Sequence, residues 1–465
     1  MLRRIALCLC FLTLLLPLLS CQPGAPGPVA LQTDIQAQAP SSERREIELV
    51  LWTHEFPTYT EGLRTKWIPE FEALHPGVTI KYEIFPYSGS IVSFDSKLLA
   101  DVFSGSGPDV WAMASHNFTQ AEYIEAGMLA PLDLSLFGYD SIADLEQDYP
   151  KNSLSIFIQD GKVYGLLNEL TTLCLYYNKT MFDAAGIVYP LAQNPSSWQT
   201  LGESSQQLLK IDLTSGVPEQ MGYQFGFFAN YPAAEWYIQD FYPIMRQYGQ
   251  ADLYVNGEPA GDSAAVVAAL QQFYDFTHVY RAYDPYFSKD WFSPFANGQI
   301  AMLTAGSWFT SAILDINPDV QFGVAPHPVV DPEDPTSFEN IMYSFGWVVN
   351  ANSDMEHQRL AQEFLAFILG KKGEWEQPLW WLENVGLLQP RLALLQSPGY
   401  RELLAKDPWM QCFTDTFDAY RVDYYQHSSD EAGAALVRAI NRVVYDKMAP
   451  AESARLLQNE LLLLP

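Results

Sequence analysis

Residues 295–328 read FANGQIAMLTAGSWFTSAILDINPDVQFGVAPHP and contain an apolar run, a tight turn, a helical pattern and a second apolar run. The run 300–303 is short, apolar and followed by Ala-Gly, which predicts a buried strand that ends in a turn. Apolar residues at helical spacing over 308–316 predict a helix that begins after an N-cap at Ser307 and stops at Asn-Pro. Residues 322–325 predict the next strand.

Trp308 lies in the first turn of this predicted helix, directly after a glycine and Ser307. The backbone N–H groups at a helix start have no partner within the helix, so they can bind a polar ligand. This position predicts a ligand-binding role for Ser307 and Trp308. The local pattern is equally compatible with a tryptophan that belongs to the core. Only the rest of the sequence can distinguish a ligand-binding Trp308 from a core Trp308.

Strands and helices alternate in the first part of the chain. Apolar runs at 47–52, 78–85 and 109–113 predict strands, and helical patterns separate them. This alternation is typical of a largely parallel sheet covered by helices on both faces. Ligands bind beyond the carboxyl ends of the strands in such sheets, which nominates Glu55 after the first strand and His116 after the third.

The composition excludes some classes of protein. The 465 residues are 48% hydrophobic and 17% charged, which is enough for two or more packed domains. The formal charge is −29, so we expect no nucleic-acid partner that is bound through its phosphates. The acidic residues are spread along the chain, which favours a solvated surface and leaves a cationic ligand as the alternative.

The N-terminus has the pattern of an export signal. Arg3 and Arg4 precede an apolar run at 5–19, and Leu-Leu-Ser-Cys ends at Cys21. This run is short for a membrane span, so residues 1–20 are predicted to be a signal peptide. The last four residues resemble a bacterial lipobox, which implies a lipid on Cys21. The alternative is an ordinary signal peptide that is followed by an incidental cysteine.

Residues 21–46 are rich in Pro, Gly, Ala, Gln and Ser and predict a flexible tether. Cys8 and Cys10 leave with the signal peptide, so Cys174 and Cys412 remain in the folded part. Neither belongs to a CxxC motif, and we expect two buried thiols, no metal site and no cofactor.

Four blocks of sequence resemble the extracellular solute-binding proteins of ABC importers, in particular the sugar-binding class that includes maltose-binding protein. They are GSGPDVWAM (105–113), AEYIEAGMLAPLD (121–133), GKVYGLLNELTTLCLYYNKTMFDAAGI (161–187) and FANGQIAMLTAGSW (295–308). The resemblance extends from about residue 47 to the C-terminus, and the order of the blocks matches throughout.

The resemblance implies an α/β fold shaped as a two-lobed clamp, in which each lobe is a mainly parallel sheet flanked by helices and hinge strands join the lobes. The implied boundaries are 47–165 plus 327–370 for lobe 1, 166–326 plus 371–465 for lobe 2, and hinges near 166–168 and 325–326. The implied function is the capture of a solute by hinge closure and its delivery to an ABC permease. We expect a monomer outside the cytoplasm, attached to the membrane only through Cys21.

The resemblance also implies ligand contacts for Asn168, Glu169 and Thr171, directly past the first implied hinge. A glutamate there can accept hydrogen bonds from two sugar hydroxyls. In the loop 386–391, Arg391 has a guanidinium suited to hydroxyls or a carboxylate, with a surface salt bridge as the alternative.

Carbohydrates present an apolar C–H face and an edge of hydroxyls, which aromatic rings and polar side chains can bind. Aromatic residues make up 14% of the chain. Trp308 is the favoured ring because the resembling pattern has an aromatic residue against the sugar at this place. Trp236, Trp347 and Tyr424 are further candidates, although many aromatic residues of any protein belong to its core.

A lipid-anchored glycoside hydrolase is the competing prediction, and it would need a pair of carboxylates in its cleft. The sequence has no nucleophile elbow, phosphate loop or metal-binding signature, so we predict no catalytic residues. A clamp that signals to a chemoreceptor instead of supplying a permease is a third possibility.

Overall fold

The described part of the fold is built on a six-stranded and a three-stranded β-sheet that pack against helices, with three further two-stranded sheets. The computed structural model describes residues 46–85, 92–114, 119–226, 234–288, 290, 292–389, 391–424 and 430–464. The predicted signal peptide, Cys21 and nearly all of the tether lie outside the described residues. The strands are β1 (Ile47–His54), β2 (Val78–Phe85), β3 (Val110–Ala114), β4 (Ile158–Gln159), β5 (Lys162–Val163), β6 (Gly165–Thr172), β7 (Cys174–Asn178), β8 (Lys210–Ile211), β9 (Pro218–Gln220), β10 (Tyr254–Val255), β11 (Glu258–Pro259), β12 (Met302–Ala305), β13 (Phe322–Ala325), β14 (Glu339–Val349) and β15 (Arg421–Tyr424).

Many helices begin at a capping side chain that the sequence provides. Asn178, Ser197 and Ser263 each accept a hydrogen bond from a backbone N–H of the following first turn. The helices are α1 (Pro57–Gly62), α2 (Ile68–Leu74), α3 (Val92–Ser104), α4 (Thr119–Glu125), α5 (Ile142–Glu146), α6 (Lys179–Ala185), α7 (Trp198–Leu208), α8 (Ala234–Gln247), α9 (Ala264–Tyr274), α10 (Phe292–Ala296), α11 (Phe309–Ile316), α12 (Met355–Leu369), α13 (Glu376–Val385), α14 (Leu392–Leu395), α15 (Pro398–Lys406), α16 (Met410–Ala419), α17 (Asp430–Val444) and α18 (Pro450–Leu461).

The larger sheet has the strand order β15-β14-β3-β1-β2, with β6 also paired to β14. β1 pairs in parallel with β2 and with β3, because helical connections carry the chain back between these strands. β14 is antiparallel to β3 and to β6 and parallel to β15. The predicted α/β fold with a sheet flanked by helices is confirmed.

The smaller sheet has the order β12-β7-β13. β7 is antiparallel to both neighbours, so β12 and β13 run in the same direction and are joined by α11. The prediction of a strand, helix and strand over 295–328 is therefore confirmed. The prediction that this second sheet is mainly parallel is wrong for its three strands, because β7 arrives from the larger sheet and inserts between β12 and β13.

The chain passes from the larger sheet to the smaller one at Leu173, between β6 and β7. β6 pairs with β14 from Gly165 to Thr172, so it belongs wholly to the larger sheet. The predicted hinge at 166–168 and the predicted lobe boundary at residue 165 therefore come too early. The sequence shows one continuous apolar run here, and only the pairing partners reveal where the chain leaves the sheet.

The C-terminal part of the chain divides between the two sheets. α13 packs against α1 and α12 beside the larger sheet, and β15 pairs with β14 in it. α17 and α18 pack against α8 and α9 instead. The segment 371–465, which was predicted to belong wholly to the second lobe, therefore packs partly beside the larger sheet and partly against α8 and α9. Among the described residues, no helix combines the length and the apolar composition needed to cross a membrane.

Candidate ligand-binding site

Residues at the end of β6 meet the turn that follows β12. The backbone N–H of Ser307 donates a hydrogen bond of 3.2 Å to Thr171 Oγ1, and the two hydroxyl oxygens are 3.5 Å apart. The Ser307 side chain also lies close enough to the carboxyl group of Glu169 to lower the pKa of that group. Residues two positions apart on a strand share a face, so Glu169 and Thr171 both point towards this turn. Three predicted ligand residues are thereby brought together.

The helix does not begin at Ser307 as predicted. It begins at Phe309. The preceding residue, Trp308, has helical backbone angles, and no side chain caps the helix. The hydroxyl of Ser307 is directed to β6, since its partners are Thr171 and Glu169. Ser307 therefore joins the two sheets and does not cap the helix.

The carboxyl group of Glu169 is buried, with 1% of the residue exposed. Burial raises its pKa to about 8, although the nearby Ser307 side chain lowers the pKa in part. Oε1 has no hydrogen-bond partner within the described structure. The carboxyl group is therefore mostly protonated at neutral pH and can donate as well as accept a hydrogen bond.

Two buried amides share this lack of partners. Oδ1 of Asn168, and both Oε1 and Nε2 of Gln389, make no hydrogen bond in the part of the chain that the structure describes. The pairing of β6 with β14 shifts register at Asn168, which makes it the extra residue of a β-bulge. Leu170 donates its N–H to Leu388, so Gln389 follows a residue bound directly to β6.

We call Asn168, Glu169, Thr171, Ser307 and Gln389 the polar cluster. Each is at most 2% exposed. A buried polar group without a partner costs about 1–3 kcal/mol, so folded proteins keep few of them without a functional reason. The polar cluster is therefore the candidate ligand site.

Trp308 lies next to the polar cluster and contacts both sheets. Its indole Nε1 donates a hydrogen bond of 2.7 Å to the hydroxyl of Tyr343 on β14. Its ring meets the edge of Phe56 at 6.5 Å and the ring of Phe292 at 5.8 Å. Only glycine fits at Gly306, because an added Cβ would lie 2.2 Å from the Tyr343 hydroxyl. Trp308 thus bridges the sheets beside the polar cluster.

Tyr59 also lies close to the polar cluster. Burial raises the pKa of its hydroxyl well above the ordinary value, and the charges of Tyr82 and Glu169 raise it further. The hydroxyl has no hydrogen-bond partner within the described residues. The Tyr59 hydroxyl is therefore a further buried polar atom without a partner close to the polar cluster.

Two predicted ligand residues are instead core residues. Trp347 is completely buried on β14, with its ring 6.2 Å from Tyr59. Arg391 is 1% exposed and pairs with Asp148 at 2.9 Å, and it also donates to the carbonyl groups of two residues after α12. Packing surrounds Trp347, whose indole Nε1 has no hydrogen-bond partner within the described residues, and the buried ion pair engages Arg391. These surroundings do not favour a ligand contact, and the ligand contacts of Trp347 and Arg391 stay predictions.

The remaining predicted residues are placed differently. The Tyr424 hydroxyl donates to the carbonyl of Ser153 and lies 3.0 Å from the Ser344 hydroxyl, so it holds β15 against the first lobe. Glu55 is exposed just after β1. His116 lies outside the described residues, as does the side chain of Trp236, whose backbone belongs to α8. Ligand contacts of these residues stay predictions.

The sequence analysis selected the loop 386–391 and nominated Arg391 in it. Gln389 is the buried polar residue of this loop that follows Leu388, the acceptor of the Leu170 N–H of β6, whereas Arg391 pairs with Asp148. Tyr343 and Tyr59 were missed as well. Tyr343 lies in a largely apolar segment that is typical of core, and Tyr59 lies in the polar segment 57–62, where no local signal marks it. No metal-binding group of three or more His, Cys, Asp or Glu residues occurs in the part of the chain that is described.

Residues 57–375, more than half of the chain, match the family model of the bacterial extracellular solute-binding proteins. The chain belongs to this family. The predicted family resemblance is thereby confirmed. Proteins of this family bind solutes outside the cytoplasm, and this solute-binding protein is expected to act there as well.

The solute-binding protein has relatives that are named as binding proteins, and some of their names include a ligand. A binding protein of Brucella abortus (strain 2308) is 24% identical over 299 residues, which is 63% of this chain and 66% of that protein. The arabinooligosaccharide-binding protein of Halalkalibacterium halodurans is 22% identical over 373 residues, which is 76% of this chain and 74% of the relative. The chain thus matches just under two thirds of the length of the Brucella relative.

A solved structure shares the fold. T. maritima MalE3 bound to maltose superimposes with a TM-score of 0.72 at 18% identity, covering 90% of this chain and 100% of that one. This similarity establishes the two-lobed solute-binding fold of the chain.

Proposed function

We propose that the protein captures a neutral mono- or oligosaccharide at the polar cluster and delivers it to the permease of an ABC importer. The observation that carries the proposal is the group of buried polar atoms without partners on Asn168, Glu169 and Gln389, beside the ring of Trp308. The names of the relatives support a carbohydrate, since two of them bind arabino-oligosaccharides. A lipid on Cys21 would hold the protein at the membrane.

Sugar hydroxyls suit the polar cluster because each can donate and accept. The amide oxygens of Asn168 and Gln389 require donors, the Gln389 amide nitrogen requires an acceptor, and protonated Glu169 can take either role. The rings of Trp308 and Phe56 offer apolar surfaces for the C–H face of a sugar. The polar cluster therefore fits an uncharged polyhydroxyl ligand.

A cationic solute is the second candidate, and the acidic surface of the chain motivates it. Binding a cation would require Glu169 to be ionised. The polar cluster contains no second carboxyl group and no basic group, and burial favours the protonated form of Glu169. The protonation of Glu169 therefore favours a neutral solute.

Closure of the two lobes is expected to be a hinge movement. The chain crosses between the sheets at Leu173 and again between β13 and β14, and the elements on either side are well packed. The hydrogen bond from Trp308 to Tyr343 and the contacts of Ser307 with β6 would form when the lobes close on a solute.

A glycoside hydrolase would need two carboxyl groups about 5–10 Å apart at the sugar. Within the described residues the polar cluster contributes one, Glu169. A second buried carboxyl group, Asp240, accepts hydrogen bonds from Gly226 and Thr304 in the second lobe. The site favours binding over hydrolysis.

A thermal-shift screen with arabino-, malto- and galacto-oligosaccharides, polyamines and glycerophosphodiesters tests the proposal. A ligand at about 100 times its dissociation constant stabilises the folded state by about 2.7 kcal/mol, which gives a clear shift. We expect a shift with a sugar and no hydrolysis products by chromatography. Turnover of the sugar, or shifts with polyamines alone, would contradict the proposal.

Glu169→Gln separates the two candidate solutes. Glutamine preserves the size of the side chain and is neutral, so we expect sugar affinity to fall by less than about tenfold and any polyamine affinity to be lost. The exposed Glu333→Gln is the matched control, because it removes the same charge away from the site.

A further inference from the structure

Two cysteines lie in direct contact inside the protein. Cys174 is the first residue of β7 and Cys412 lies in the first turn of α16, 238 residues later in the sequence. Their Sγ atoms are 3.3 Å apart, with the thiol of Cys412 donating to Cys174. Cys174 is 0% and Cys412 is 7% exposed. The sulfur atoms are thus within a small movement of bonding distance.

The pair lies where the chain passes between the two sheets. Cys174 follows Leu173, the crossing from β6 to β7, and α16 leads into β15, which pairs with β14 in the larger sheet. A bond between the sulfur atoms would join the start of β7, where the chain enters the smaller sheet, to a helix that packs against β6 and β15 of the larger sheet.

No other cysteine competes for this pairing in the exported chain. The sequence has five cysteines, of which Cys8 and Cys10 lie in the predicted signal peptide and Cys21 is the predicted lipid site. The family acts outside the cytoplasm, where thiols meet oxidants and disulfides persist.

We propose that Cys174 and Cys412 form an intramolecular disulfide after export. The reaction proceeds by thiol–disulfide exchange with a disulfide-carrying oxidoreductase or a small-molecule disulfide such as oxidised glutathione. The thiolate of Cys174 displaces one sulfur of the donor, and the thiolate of Cys412 then attacks the mixed disulfide. The two cysteines lose two protons and two electrons, and the donor leaves as two thiols.

The surroundings of the pair indicate when the bond forms. The hydrogen bond with Cys174 and burial both raise the pKa of the Cys412 thiol well above its ordinary value. Protonated, buried thiols react slowly, so the bond forms before α16 closes over β7. The same burial then protects the disulfide from reductants. Neither cysteine belongs to the polar cluster, so the bond acts as a structural cross-link and leaves solute affinity unchanged.

The test is thiol labelling of the full chain exported by a bacterial host. The protein is denatured and treated with N-ethylmaleimide, with and without prior reduction, and its peptides are mapped by mass spectrometry. We expect both cysteines to be labelled only after reduction, and a cross-linked peptide pair that is lighter by about 2 Da than its two thiol forms. Labelling of both thiols without reduction would overturn the proposal.

Serine variants provide the controls. Cys174→Ser and Cys412→Ser each leave one cysteine of the pair, which should be labelled without reduction and should give no intramolecular cross-link. A reductant should lower the melting temperature of the wild-type protein and leave that of the double serine variant unchanged. Equal effects on both proteins would contradict the proposal. The labelling of the wild-type chain needs no variant and decides the question even if a serine variant folds poorly.

Discussion

The indole Nε1 of Trp308 donates a hydrogen bond of 2.7 Å to the hydroxyl of Tyr343, and this contact joins the turn after β12 to β14 of the larger sheet. It lies directly beside the polar cluster, since Ser307 in the same turn contacts Thr171 and Glu169. The side chains that would hold a solute are therefore the same side chains that join the lobes.

Tyr343→Phe should weaken solute binding. The substitution preserves the ring and removes the acceptor of the Trp308 indole, which costs about 1–3 kcal/mol when the group stays buried. We expect about a tenfold loss of affinity by titration calorimetry. Tyr286→Phe is the matched control, because it removes the same hydroxyl from an exposed tyrosine that is not part of the polar cluster. An equal loss in both variants would show that the Trp308–Tyr343 contact has no special role.

Glu169→Gln should change how stability depends on pH. The pKa of Glu169 is about 8 in the folded state, whereas the unfolded chain releases the proton near the ordinary glutamate pKa of 4.5. Stability from this group is therefore present below about pH 4.5 and is lost as the pH rises towards 8, at about 1.4 kcal/mol per pH unit. Thermal unfolding without ligand should show the wild type losing stability relative to the variant between about pH 5 and pH 8.

Other buried groups contribute to the pH dependence of both proteins equally. Burial lowers the pKa of His54 to about 4 and that of His327 to about 3, so these two histidines gain stability as the pH rises towards 6.5. Burial raises the pKa of Asp240 to about 7, which acts in the same direction as Glu169. The difference between wild type and Glu169→Gln cancels these effects. A constant difference across this pH range would disprove the assignment.

Gln389→Leu should stabilise the ligand-free protein. Leucine removes two buried polar atoms that have no partner within the described structure, so the free energy of unfolding should rise by about 1 kcal/mol or more. A gain in stability on loss of a binding residue is typical of functional sites. Urea unfolding measures it, and a loss of stability would indicate that the Gln389 amide has a structural role.

Arg391→Met should destabilise the fold and leave solute affinity unchanged. The variant leaves Asp148 buried without its ion-pair partner, and breaking a buried ion pair costs about 3–5 kcal/mol. Adding Asp148→Asn to the variant should restore part of the stability. Urea unfolding and calorimetry give the two readouts. Normal stability together with a loss of solute affinity would contradict this prediction and would indicate that Arg391 contacts the ligand.

The local pattern of the sequence predicted individual elements well. The strand prediction at 78–85 coincides with β2, and the prediction at 322–325 coincides with β13. Apolar periodicity and turn residues suffice for such segments because their signals are local. The insertion of β7 between β12 and β13 was not predictable in this way, because strand partners are distant in sequence.

The nominated site residues came from two different signals. The family resemblance nominated Glu169 and Thr171, and the turn before a predicted helix nominated Ser307. The structure places Thr171 and Ser307 in contact, and the ligand contacts of all three stay predictions. Gln389 and Arg391 lie two positions apart in one loop, and nothing local shows which of them reaches the site. The direction of the Arg391 side chain is set by its ion pair with Asp148, which is 243 residues away in the sequence.

Calorimetric titration of the sugar identified in the thermal-shift screen tests the central claim most directly. The wild-type protein should bind one sugar per chain. The double variant Asn168→Leu, Gln389→Leu should show at least a hundredfold lower affinity while its far-UV circular dichroism and melting transition stay native. Unchanged affinity in this folded double variant would contradict the account.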